Sequence, residues 1–104
     1  MYNLLSPLKY IQARKLQNTQ WRCDTKIEAE AEYYQLNFIS FNQVEGYSKI
    51  ISESEPLQMF TANFEIKDKT TIQFFHKNES FTAHLTSNIL MATIDGETLL
   101  FRRF

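Results

Sequence analysis

Between Gln58 and Phe104 apolar and polar residues alternate in short runs. Phe60, Ala62, Phe64 and Ile66 share one parity, and Asp68-Lys69 breaks the pattern. Ile72, Phe74 and His76 alternate next, followed by the polar stretch Lys77-Asn78-Glu79-Ser80. Phe81, Ala83 and Leu85, then Leu90, Ala92 and Ile94, then Asp95-Gly96 and Leu99, Phe101 and Arg103 complete the series. Strand side chains repeat every two residues, so each run turns one apolar face toward a common interior. Such runs joined by short polar breaks predict an antiparallel meander.

Upstream, Ser6-Pro7 predicts a helix start: Ser caps, and Pro fits the first turn, where its missing N–H costs nothing. Leu8, Ile11 and Leu16 then fall on one face, which predicts an amphipathic helix ending near Asn18. It is too short to stand alone and must pack on something, as a cap on the sheet or as a membrane-surface or partner-binding helix. Trp21 opens the first strand with Cys23 and Ile27 on its parity. Glu28-Ala29-Glu30-Ala31-Glu32 suits a strand with an acidic face, or an acidic bend between strands, better than a helix, because Glu28 and Glu32 would repel at i, i+4. Tyr34, Leu36 and Phe38 form the next strand, with Ile39 and Phe41 on its other face. A turn is expected from Asn42 to Gly46, a strand from Tyr47 to Ile51, and a polar loop ending at Pro56. The chain therefore predicts one domain over residues 1–104, mainly β: a helix within 1–18, then a meander of about eight strands over 20–104. A meander of that size closes most easily into an up-and-down barrel, which removes exposed sheet edges.

Composition narrows the partners. Twelve acidic residues against 11 basic ones give a net charge of −1, which carries no general affinity for nucleic acid. The charge is uneven, since Lys9, Arg14, Lys15 and Arg22 precede every acid in the chain. That leader can meet the acidic body or an anionic partner, or simply be solvated. A single cysteine, Cys23, excludes an internal disulfide and a cysteine-cluster metal site, and its parity with Trp21 makes it an inert buried thiol. No apolar run approaches the roughly 20 residues that span a bilayer, and no secretory leader is visible. The expected compartment is cytoplasmic, or periplasmic or secreted if the sequence is that of a mature product.

Trp21 and the terminal Phe101-x-Arg103 then bring in a family. The chain resembles the small bacterial lipocalin-like (calycin-type) β-barrels, which open with a helix or coil and a Leu-x-Gly-x-Trp strand and finish on an aromatic-x-Arg strand. Leu16 and Trp21 stand near the first motif, with Thr19 at the place of its Gly. Asp95 to Arg103 resembles the last strand. The resemblance implies that Arg103 packs over Trp21 and closes the barrel end, a cation–π contact worth roughly 0.5–2 kcal/mol.

Chemistry-bearing clusters are sparse. His76 shares the inward parity of Ile72 and Phe74, and His84 lies between Thr82 and Thr86 on the polar face, so the two are not expected to pair. No Ser-His-Asp spacing, phosphate loop or paired inward carboxylate is visible, and the Glu28/Glu30/Glu32 stretch lacks the spacing of a cation loop. The expectation is a non-enzymatic protein without a metal or cofactor, monomeric or weakly dimeric. Two functions remain open. The interior residues Trp21, Tyr34, Phe38, Phe60, Phe64, Phe74, His76 and Phe81 can line a site for a small hydrophobic ligand. Alternatively the barrel is a solid scaffold, an inhibitor, immunity or regulatory module that meets a protein partner through Glu28, Glu30, Glu32, Glu53 and Glu55.

Overall fold

The computed structural model describes residues 13–23, 30–94 and 96–104. Eight antiparallel strands run in chain order: β1 (Thr19–Cys23), β2 (Ala31–Phe38), β3 (Gln43–Ile50), β4 (Leu57–Ile66), β5 (Thr71–His76), β6 (Glu79–Thr86), β7 (Ile89–Ile94) and β8 (Glu97–Arg103). Each pairs with the next, and β8 returns to β1 through Trp21↔Arg103 and Arg22↔Arg102, so the meander closes into a barrel. The expected fold class stands.

The alternation read from the sequence sets the interior. Leu36, Phe38, Ala62, Phe64, Ile72, Phe74, Ala83, Leu90, Ala92, Leu99 and Phe101 are all buried, with Trp21 and Cys23 from β1. One end of the barrel carries the turns 39–42, 67–70 and 87–88 together with residues 13–18; the other carries the loop 51–56, the turn 77–78 and Gly96. Residues 13–16 form a helical turn whose Ala13 and Leu16 are buried in the core. It stops at Asn18, which takes a left-handed φ of 64° and donates its amide to the Phe38 carbonyl at 2.7 Å. Asn tolerates that conformation better than most residues. The described part of the helix thus caps the barrel, while Leu8 and Ile11 lie outside the described residues.

Several boundaries differ from the sequence reading. The turn expected at Asn42–Gly46 lies instead at 39–42, closed by the Ile39 amide on the Gln43 carbonyl at 3.0 Å. Ile39 and Phe41 therefore sit exposed in that turn and do not make a second face of β2. Gly46 belongs to the middle of β3, where a glycine marks close approach of another group and not a reversal. Glu79 and Ser80 begin β6, because Lys77 takes φ 56° and completes a two-residue hairpin with Asn78 alone. Ala31 and Glu32 open β2 and Glu30 lies in a turn just before it, so the strand expected over the Glu/Ala stretch is seen only in its last two residues; residues 24–29 are outside the described set, Ile27 and Glu28 among them. At 67–70 Asp68 Oδ1 accepts the amides of Thr70 and Thr71 at 3.0 and 2.9 Å. Those bonds, the Thr70 amide first, hold its carboxyl below the ordinary aspartate value.

Candidate functional site

The two halves of the interior are filled differently. In the half nearer residues 13–18, Phe38 meets Phe64 edge-on with centroids 5.1 Å apart, and Phe74 lies 6.2 and 6.5 Å from the two. Such pairs each add roughly 0.5–1.5 kcal/mol beyond the area they bury. Trp21 completes this floor. Its Nε1–H donates to Thr19 Oγ1 at 2.9 Å, and the Thr19 hydroxyl donates to the Leu16 carbonyl. The hydroxyl thus relays a buried indole to the helical turn, a task the motif's Gly has no side chain to perform. No buried side-chain polar atom among the described residues lacks a partner.

In the other half the packing stops short and leaves an apolar cavity of about 150 Å³, partly open. Tyr34 and Leu36 of β2, Gly46 of β3 and Phe60 of β4 form one side. Phe81, Ala92, Ile94, Leu99 and Phe101 form the other, with Gln35, Tyr47 and Met59 at the margin. The space has an identifiable cause. A Cβ built on Gly46 would lie 2.2 Å from Phe60 Cε2, so the ring takes the space beside β3 that a side chain at position 46 would fill. Ala92 supplies no bulk opposite it. The β3–β4 register slips by one residue between Gly46 and Tyr47, which leaves Met59 as the extra residue beside the ring. Tyr47 turns its hydroxyl outward to donate to Glu45 Oε1 at 2.8 Å, and that hydrogen bond, chiefly, raises its phenol above the ordinary value.

Of the residues singled out from the sequence, Tyr34, Phe60 and Phe81 line the cavity, whereas Trp21, Phe38, Phe64 and Phe74 build the floor beneath it. His76 is half-buried beside Phe60, ring centroids 5.6 Å apart, with Nδ1 3.3 Å from the Thr61 carbonyl. His84 pairs with Thr71 at the opposite end of β5, far from His76 in the ladder. Among the described residues no group of three His, Cys, Asp or Glu side chains is placed to hold a metal ion. No helix among them is long and apolar enough to cross a membrane.

Trp21 and Arg103 are cross-strand partners, as the barrel closure requires, and both line an open, more polar pocket of about 160 Å³ with Lys15, Leu16, Leu85 and Ser87. The guanidinium that stacks is nonetheless not that of Arg103, which is exposed. Arg22 lies over Tyr33 at 4.0 Å and over Phe104 at 4.4 Å, and donates to Gln35 Oε1 through Nε and Nη2 at 3.3 and 2.9 Å. Its parity places it on the outer face, where two aromatic rings flank it; on the inner side, Leu16 packs into the core beside the indole.

Sequence reasoning passed over Gly46, Ala92, Ile94 and Leu99 as site residues. The signal for the first was a glycine on the same parity as Val44 and Ser48, and for the others the small or aliphatic inward positions facing it. Comparison of the chain with protein-family models, with curated proteins and with solved structures finds no match.

Proposed function

We propose that this protein is a reduced lipocalin-like barrel that binds a small apolar molecule, of about the size of a benzene ring, without catalysing a reaction. The observation that carries this reading is the half-filled interior: an aromatic floor below, and an apolar cavity of about 150 Å³ above it. Apolar cavities of that order take up benzene or xenon. The family reading rests on the closed eight-strand meander, the capping helical turn and the Trp21–Arg103 pairing across the closure. Titration with toluene, followed by calorimetry or by saturation transfer from the protein, tests the binding. Seven heavy atoms in such a cavity should give a Kd on the order of 0.1–1 mM. Ala92→Leu, which fills the space from β7, should abolish binding and leave the protein folded. Absence of binding by the unmodified protein would remove the reading.

A second reading has its own observation. The first half of β4 extends past β5, whose ladder with it begins only at Asn63↔Phe75. Leu57 and Met59 there, and Ile51 in the adjoining loop, are each more than half exposed beside Glu53 and Glu55. A protein partner that adds along this arm would use main-chain pairing and those three side chains. Capture of a partner that survives high salt and is lost in Met59→Lys would favour this reading over charge-guided docking.

A further inference from the structure

The wall of the barrel is split beside the cavity. The β6–β7 ladder runs only from Ala83↔Ala92 to Thr86↔Ile89. Beyond it, Glu79 to Thr82 pair with β5 alone, and Thr93 and Ile94 pair with β8 alone. The backbone on the facing sides of the two strands is left without a ladder partner. A groove of about 420 Å³ occupies this split, and Ser80, Thr82, His84 and Thr93 line it together with Glu79. The inward-pointing Phe81 and Ile94 also reach the groove, although on an intact sheet an outer depression would meet side chains of one parity only. Phe81 and Ile94 line the inner cavity as well. These two residues therefore stand between the apolar cavity and the polar groove.

From this juxtaposition we infer that the ligand of the cavity is an amphiphile, seated through the side of the barrel. Its apolar body lies among Leu36, Phe60 and Leu99, and its hydrogen-bonding head lies in the groove. The inference rests on the cavity reading above and adds the head group to it. A purely apolar guest would leave the facing main-chain groups and hydroxyls to water. A guest with a hydroxyl or amine one carbon beyond the ring can pass between Phe81 and Ile94 and bond to the hydroxyl of Thr82 or Thr93. Hydrogen bonds of this kind are directional, so the head group fixes the orientation that a smooth apolar pocket does not.

The test compares toluene with benzyl alcohol on the uniformly ¹⁵N-labelled protein and on the Thr82→Val, Thr93→Val double variant. Both positions are exposed strand sites where valine keeps the β-branched shape, so the fold is retained. Benzyl alcohol should shift the amides of Ser80, Thr82 and Thr93, whereas toluene should shift those around Leu99 and Ala92 only. In the double variant benzyl alcohol should bind about two- to tenfold more weakly, the loss of one or two hydrogen bonds, with toluene unaffected. Equal binding of benzyl alcohol by both proteins, or groove amides that stay still, would overturn the side-seated head group while leaving the cavity reading in place. Failure of both compounds to bind would remove the cavity reading and this inference with it.

Discussion

Where residues 13–18 cap the barrel, the rings of Trp21, Phe38, Phe64 and Phe74 fill the interior, and the indole N–H of Trp21 is handed through Thr19 to the Leu16 carbonyl. At the loop 51–56 end the inward positions of comparable depth are Gly46, Ala92 and a Phe60 set beside Gly46, and a cavity results. Both ends draw on the same alternation and the same apolar residue types. The difference lies in two small residues and a one-residue slip of register. A strand pattern specifies which faces are buried, and the volumes at facing positions specify whether the buried space is filled.

Substitutions at the two ends should behave in opposite ways. Trp21→Ala removes the largest side chain of the floor and leaves the Thr19 hydroxyl and Leu16 carbonyl with altered partners. A loss of about 3–5 kcal/mol is expected in urea melts, a large fraction of the roughly 5–15 kcal/mol typical of such domains. Thr19→Val keeps the shape but strands the indole N–H, and should cost about 1–3 kcal/mol. If Thr19→Val proved neutral, the hydroxyl relay would not hold the cap. Gly46→Ala acts at the other end. Its methyl must displace the Phe60 ring, which has room to swing only into the cavity. The expected cost is about 1–2 kcal/mol, with toluene binding lost. A Gly46→Ala protein that still bound toluene would show that the glycine does not create the space.

The arginines separate the outer surface from both interiors. Arg22→Ala loses two ring contacts and a forked hydrogen bond on a half-buried side chain, and should cost about 0.5–1.5 kcal/mol. Arg102→Ala, exposed on the same outer face, should change stability by less than about 0.5 kcal/mol. An Arg103→Ala change larger than that of Arg22→Ala would restore the terminal arginine as the closing group.

Most of the fold was legible because period-2 alternation is a direct imprint of a half-buried strand. Phe60 to Ile66, Ile72 to Phe74 and Leu99 to Phe101 each matched it, and each is inward in the barrel. What escaped was local. Gly46 reads as a turn residue, and only the ring of Phe60, 14 positions away in sequence, explains it as a strand residue. Lys77 at φ 56° gives no sign in its side chain of tolerating a tight hairpin, so the turn was drawn too long. The site was half legible for a related reason. Large aromatic residues announce an interior, but a cavity is made by what is small, and Gly46 draws no attention in a list of apolar positions. The stacked arginine was misplaced because a family pattern named the last strand, while the rings of Tyr33 and Phe104 that hold Arg22 lie outside that pattern.

The claim that one end is solid and the other hollow is tested most directly with xenon, which needs no guess about the ligand. Methyl ¹H–¹³C spectra of the protein under a few atmospheres of xenon should show shifts at Ala92, Ile94, Leu99 and Leu36. The methyls of Ile72 and Leu90, in the filled half, should stay still. Shifts spread evenly over both sets, or confined to the filled half, would contradict the account.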